Sequence, residues 1–281
     1  MRKYFTLFAL ILFQSLEANE FDEFGLYSDK SAKPNEVKPE KTILPLKIAK
    51  GSRIAYVGNT LLDRAQHFGH FESFLQRHLP NHELVIRNFS WSADEVDIQP
   101  RPDNFADTDQ HLLHHKTDII FAAFGFNESF AGEEKVPEFK SRLRKYITQT
   151  RTRAYNGKKG PKIILISPTP NQNLDNIPAA DLNNERLAIF TSAMREVAES
   201  EEIGFVDVFS KPYPNGSTIN GVHLNEEGYR AFGTALFKGI FNESPEPVNE
   251  ELRLAVVEKN KQFFRRYRPL NTFYYTGGRK G

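Results

Sequence analysis

The chain has no cysteine among its 281 residues. That absence excludes disulfides, thiolate nucleophiles and cysteine-ligated metals, and with them a lipid anchor on an N-terminal cysteine. An excess of charge of one sign is also lacking. Lys and Arg number 37 against 36 Asp and Glu, a formal charge of +1, which points away from nucleic acid or an acidic membrane surface as partner. The apolar stretch Tyr4 to Phe13 is too short to cross a bilayer, which needs about 20 residues.

What is present is ordinary for a globular protein: 39% hydrophobic residues, 12% aromatic. The length suits one full core with appended structure. Residues 1–18 read as a basic start, an apolar run and a cleavage region, so a signal peptide and an exported (periplasmic or secreted) protein are expected. Residues 19–46 mix Lys, Glu, Asp and Pro without apolar periodicity and read as a linker or irregular N-terminal wrap. A main domain over 47–243 follows, then a charged and aromatic tail over 244–281 behind the boundary Ser244-Pro-Glu-Pro247.

Short β-rich runs alternate with longer segments of helical period. Arg53–Gly58, Glu83–Asn88, Asp118–Gly125, Lys162–Ser167 and Gly204–Val208 read as strands. Helices are expected over Thr60–Leu79, Asp107–Lys116, Pro137–Arg153, Asp181–Glu201, Asn225–Phe241 and, in the tail, Glu250–Arg266. The pattern implies an α/β protein: three layers, α/β/α, around a five-stranded, mostly parallel sheet. In such folds ligands bind beyond the carboxyl ends of the strands, so the following turns carry the candidate residues.

After the first strand comes Gly58-Asn59-Thr60-Leu61, which puts a hydroxyl at a helix N-terminus, where N–H groups and the dipole favour negative charge. Thr60 is therefore either a nucleophile or a plain helix cap. The second strand leads into Asn88-Phe89-Ser90-Trp91-Ser92-Ala93-Asp94 and the third into Gly125-Phe126-Asn127-Glu128. An amide behind a Gly at a strand end is what an oxyanion hole uses, and it is equally a common turn former. His223 lies in Asn220-Gly221-Val222-His223-Leu224, ahead of the last core helix. His111 and His115 have metal-compatible spacing without acidic partners and read as surface residues.

In order and spacing these blocks resemble the SGNH (GDSL-type) family of ester hydrolases, whose blocks are Gly-Asp-Ser-Leu, a Gly, Gly-x-Asn-Asp and Asp-x-x-His. The resemblance runs from Arg53 to Phe241. It implies the flavodoxin-like SGNH fold and an esterase without cofactor or metal. By position Thr60 stands for the nucleophilic Ser, Ser90 for the oxyanion Gly, Asn127 for the oxyanion Asn, His223 for the base and Asn220 for the Asp that orients it. The oxyanion hole expected from the resemblance is Thr60, Ser90 and Asn127. Asn59, Trp91 and Gly125 are candidate substrate contacts, and Trp91 suits equally the lining of a sugar-binding site or packing at its rim.

Three of the five family positions depart from the pattern. A threonine keeps the hydroxyl but stiffens χ1, and Ser for Gly keeps the backbone N–H. Asn220 is the weightiest change, because an amide cannot stabilise an imidazolium as a carboxylate does; Asp207 and Asp94 are the carboxylates considered as replacements. The expected function is hydrolysis of a small ester or of an acylated carbohydrate, acetylated ones included, with no nucleic acid and no membrane span involved. The alternative is a catalytically impaired SGNH-like domain that binds a glycan or protein partner, and the tail is a candidate docking segment for a partner domain or protein.

Overall fold

A computed structural model describes residues 32–102 and 105–269. The expected signal peptide and the last residues of the tail lie outside this range. Five parallel strands form the central sheet: β2 (Arg53–Gly58), β3 (Val85–Asn88), β4 (Ile119–Ala123), β6 (Lys162–Ile166) and β7 (Gly204–Val206), in the order β3-β2-β4-β6-β7. The order reverses between β2 and β4, which opens a crevice beyond their carboxyl ends. β1 (Asn35–Glu36) pairs antiparallel with β5 (Arg153–Ala154), away from the main sheet.

The strand sequences specify both faces, since successive side chains alternate between them. Ile54, Tyr56, Phe121, Ile164 and Ile166 pack on one side against α1 (Thr60–Ala65), α2 (His70–His78) and α6 (Glu226–Phe241), which add Leu62, Phe71, Leu75, Phe232 and Phe237. Ala55, Val57, Ile120, Ala122, Ile163 and Leu165 face α3 (Thr108–His115), α4 (Val136–Arg151) and α5 (Ala179–Ser200), which add Leu112, Phe139, Leu143, Phe190 and Val197. Two cores on two faces make the three-layer α/β/α arrangement that the alternation of strands and helices implied.

The expected helix over Thr60–Leu79 is instead two helices. Gly69, with φ +70°, breaks it, and a Cβ there would meet Val257 at 3.0 Å and Val256 at 3.2 Å. Those valines belong to α7 (Glu250–Tyr267), so the break lets the tail helix approach. Residues 32–46 wrap the domain: Thr42 Oγ1 accepts from the Ile163 N–H, and Leu46 lies in the core. β3 is one of the two edge strands, and α7 covers it: Lys259 donates to the Ile86 carbonyl at 3.2 Å.

Gly58 closes β2 at φ +131°, and a Cβ built there would lie 2.1 Å from the Ala123 carbonyl oxygen on the adjacent strand. Gly58→Ala is therefore expected to cost about 3 kcal/mol or more, roughly 6–12 °C in Tm for a chain of this size. A thermal melt followed by circular dichroism measures it. A fall of less than a degree would show that the strands can part here at no cost.

Candidate active site

β2 ends at Gly58 and α1 begins at Thr60, so the chain turns sharply into the crevice. Asn59 is the buried N-cap: its Oδ1 accepts from the Leu61 N–H at 3.1 Å. That leaves Thr60 as the first residue of the helix, with an N–H that no carbonyl of the helix can reach. Thr60 Oγ1 accepts a long hydrogen bond, 3.4 Å, from the Ala93 N–H.

Asn59, Thr60 and Leu61 form one wall of a small cleft. Phe124 and Phe126 come from the turn after β4, Ser167, Pro168 and Thr169 from the turn after β6, and Val222 and His223 from the loop before α6. The cavity is about 30 Å³, room for about two waters, so it suits a small acyl group better than a long chain. Thr60 and His223 thus share one cleft, although no hydrogen bond joins them among the described residues. Catalytic contacts are often loose before substrate binds.

His223 is held by Asn220. The Asn220 Oδ1 accepts from the backbone N–H of His223 at 2.8 Å and of Val222 at 3.2 Å, while His223 Nδ1 lies 3.0 Å from Asn220 Nδ2 and 3.1 Å from Oδ1. Partial burial lowers the His223 pKa below its ordinary value, and the Arg64 guanidinium adds to the effect. Neither replacement carboxylate reaches the ring. Asp94 is closed in a bidentate pair with Arg101, at 2.8 and 2.7 Å, and Asp207 pairs with Arg195.

The loop after β3 differs from its sequence-based assignment. The Ser90 N–H is taken by Asn88 Oδ1 at 3.0 Å, and the buried Ser90 hydroxyl has no hydrogen-bond partner among the described residues. The N–H presented to Thr60 is that of Ala93, whose φ of +68° lies in the left-handed region that favours glycine. Ala93, not Ser90, thus presents its backbone N–H to Thr60. Asn127 holds the same loop, donating from Nδ2 to the Asp94 carbonyl at 2.9 Å with one of its two amide protons.

Trp91 is not an open platform for substrate. Arg101 and Arg268 each stack on its ring at 4.5 Å, Phe105 packs edge-on, and its Nε1–H donates to the Tyr267 hydroxyl at 2.8 Å. Gly125 acts through backbone: with φ +90°, its N–H donates to Glu128 Oε2 at 2.8 Å, and a Cβ would press on Met194 Sδ at 2.8 Å. The Glu128 carboxyl also accepts from the Val96 N–H at 3.0 Å and links the two loops; its burial pushes the pKa up to about 7. His111 and His115 are not surface residues. Burial lowers both to about 4, and His115 Nε2 lies 3.1 Å from the Ile54 carbonyl oxygen.

Sequence reasoning missed Ala93 and Thr169. The turn after β6 follows the same strand-end rule as the others, so Thr169 was open to it. Ala93 needed the path of its loop.

A family model for GDSL-like lipases and acylhydrolases matches residues 51–231, well over half of the chain. The chain belongs to the GDSL-like lipase/acylhydrolase family. The matched span contains Thr60, Ala93, Asn127, Asn220 and His223. Solved structures agree on the fold. A catalytic mutant of Axe2, an acetylxylan esterase from Geobacillus stearothermophilus, is 18% identical, with a TM-score of 0.55 over 72% of this chain and 100% of that one. LAE5, an α/β hydrolase from the metagenome of Lake Arreo, Spain, is 16% identical, with a TM-score of 0.50 over 69% of this chain and 96% of that one. No curated relative matches. Among the described residues no helix is long and apolar enough to cross a membrane.

Proposed function

We propose that this family member hydrolyses small acyl esters, acetyl groups on carbohydrate foremost, with Thr60 as nucleophile and His223 as general base. The observation that carries the reading is the shared cleft: a hydroxyl at the start of α1 and a half-buried imidazole line a cavity with room for little more than an acetyl group. In the proposed mechanism His223 Nε2 takes the Thr60 proton as Oγ1 attacks the ester carbonyl, and the oxyanion forms beside the N–H groups of Thr60 and Ala93. Asn127 then positions the Ala93 loop and has a second amide proton for the oxyanion. The protonated histidine delivers its proton to the leaving alcohol. Water, activated by the same ring, releases the acid.

Acetylxylan esterase offers a parallel in its catalytic mutants, which replace a serine, an aspartate and a histidine, the last two separated by three positions, as Asn220 and His223 are here. The test is hydrolysis of an activated acetate ester and of acetylated xylan by the chain without residues 1–18. A rate no higher than that of His223→Ala would refute the reading. Export by the N-terminal leader belongs to the same proposal, and N-terminal sequencing of the protein from the culture medium or periplasm checks it.

The pH profile gives a further expected outcome. The base works as neutral imidazole, and a lowered pKa keeps it neutral to lower pH. The acid limb of kcat/KM is therefore expected below about pH 6.5, the ordinary histidine value. A midpoint above that value would contradict the environment described for His223.

One observation favours a second reading. Among the described residues the only side chain hydrogen-bonded to the His223 ring is a neutral amide, which suits a crevice that binds an acylated glycan and turns it over poorly. Titration with acetylated and deacetylated oligosaccharides separates the two readings: saturable binding without hydrolysis supports the second.

A further inference from the structure

The family match ends at residue 231, inside α6, yet two of the residues that brace the loop beside Thr60, Tyr267 and Arg268, come from beyond it. Helix α7 is anchored along its length. Arg253 Nη1 donates to the Phe68 carbonyl at 2.8 Å, and Asn260 Nδ2 donates to the buried Glu72 carboxylate at 3.0 Å. Phe263 stacks on Tyr267 and meets Phe89 edge-on. The helix thereby delivers its last turn to the loop after β3.

Two side chains there grip the loop. The Tyr267 hydroxyl accepts from Trp91 Nε1 at 2.8 Å and donates to the Phe89 carbonyl at 3.3 Å. Arg268 lies on the Trp91 ring, as Arg101 does, and pairs with the buried Asp63 carboxylate. Asp63 Oδ2 in turn accepts from the Ser92 hydroxyl at 2.6 Å and the Ser92 N–H at 3.2 Å. The next N–H along the chain, that of Ala93, meets Thr60 Oγ1. A continuous series of polar contacts thus runs from the tail helix to the candidate nucleophile.

We propose that Arg268 and Tyr267 are positioning residues of the active site: a clamp from outside the family domain that sets the Ala93 N–H against Thr60. The catalytic half of this inference rests on the esterase reading; the mechanical half does not. Asp63 is one turn after Thr60 on α1, so Arg268 fixes the loop and the nucleophile's helix through one carboxylate. A shift of about 1 Å in such a donor can cost on the order of 10²-fold in rate.

Trp91 is the only tryptophan of the chain and reports the loop directly. Full-length parent, Arg268→Ala, Arg268→Lys and Tyr267→Phe are compared by tryptophan emission, acrylamide quenching, circular dichroism and hydrolysis of an activated acetate ester. Arg268→Ala is expected to show clearly greater quenching with unchanged secondary structure, and kcat lower by about 10- to 100-fold with KM within about twofold. Arg268→Lys is expected to recover part of the rate by keeping the charge beside Asp63. Tyr267→Phe, the mildest change, is expected to shift Trp91 emission without unfolding.

Quenching in Arg268→Ala and Tyr267→Phe identical to the parent's overturns the clamp, whatever the rates. Altered quenching with unaltered kcat in an active parent overturns the positioning role. If the parent shows no hydrolysis above Thr60→Ala, the esterase reading fails on that control alone, and quenching still decides the clamp.

Discussion

Thr60→Ala is expected to abolish hydrolysis, to the level left by His223→Ala, whereas Thr60→Ser is expected to keep or raise it. The Ala variant removes the only side-chain hydroxyl at the start of α1 and leaves the fold unstrained, because Asn59, not Thr60, caps the helix. Removing a nucleophile or its base in hydrolases of this kind costs on the order of 10⁶-fold in kcat, and either loss alone costs nearly as much as both. The double variant Thr60→Ala with His223→Ala should therefore be no slower than either single one. Serine keeps the oxygen and drops the methyl, which relaxes χ1 and opens the cleft slightly. Rates on an activated acetate ester, with melting temperatures as a control, decide it. Activity surviving in Thr60→Ala would place the chemistry elsewhere in the cleft, whose lining also carries the hydroxyls of Ser167 and Thr169.

The arrangement explains how a site departing from its family pattern at three positions can still hold together. The backbone supplies what side chains do not. Ala93 takes the left-handed conformation a glycine would adopt, held by Asn127 on its Asp94 side and by Asp63 on its Ser92 side. Glu128, buried and bound to two backbone N–H groups, joins the turns after β3 and β4. Such a preorganised set of donors is what stabilises developing charge, provided the groups need not move during reaction.

The strands were legible in the sequence because a parallel sheet covered on both faces reads as unbroken apolar runs, as in Ile119–Ala123 and Lys162–Ile166. That Thr60 and His223 would line one cleft could be read from the sequence because such a fold opens its crevice beyond the carboxyl ends of the strands. Gly69 was not: the apolar period of Thr60–Leu79 continues through it, and only the approach of α7 shows why the helix breaks there. Ser90 was assigned by counting from the strand end, which cannot show that Asn88 turns back to take its N–H. Trp91 stayed open between sugar contact and rim packing because nothing in the sequence reveals that two arginines, one of them 177 positions away, cover its ring. Contacts made by remote segments decide these cases.

Asn220→Asp is expected to raise the rate at neutral pH, and the reason lies in the tautomer of His223. The amide now offers the ring nitrogen Nδ1 a donor at 3.0 Å and an acceptor at 3.1 Å. When Nδ2–H donates to Nδ1, the ring proton sits on Nε2 and the base is lost; when Oδ1 accepts from Nδ1–H, Nε2 is free to act. A carboxylate accepts only, so it fixes the productive form and stabilises the imidazolium formed in the transition state. In the serine proteases the opposite change, Asp to Asn, costs about 10⁴ in kcat; a gain on the order of 10- to 10²-fold is expected here, since Arg64 opposes part of the new charge. The same carboxylate raises the His223 pKa, because it favours the protonated ring, so the acid limb of the pH profile must move to higher pH than in the parent. A faster enzyme with that limb displaced upward identifies His223 as the base and Asn220 as its orienting partner. A rate gain with an unmoved limb would leave the new carboxylate acting on something other than the imidazole.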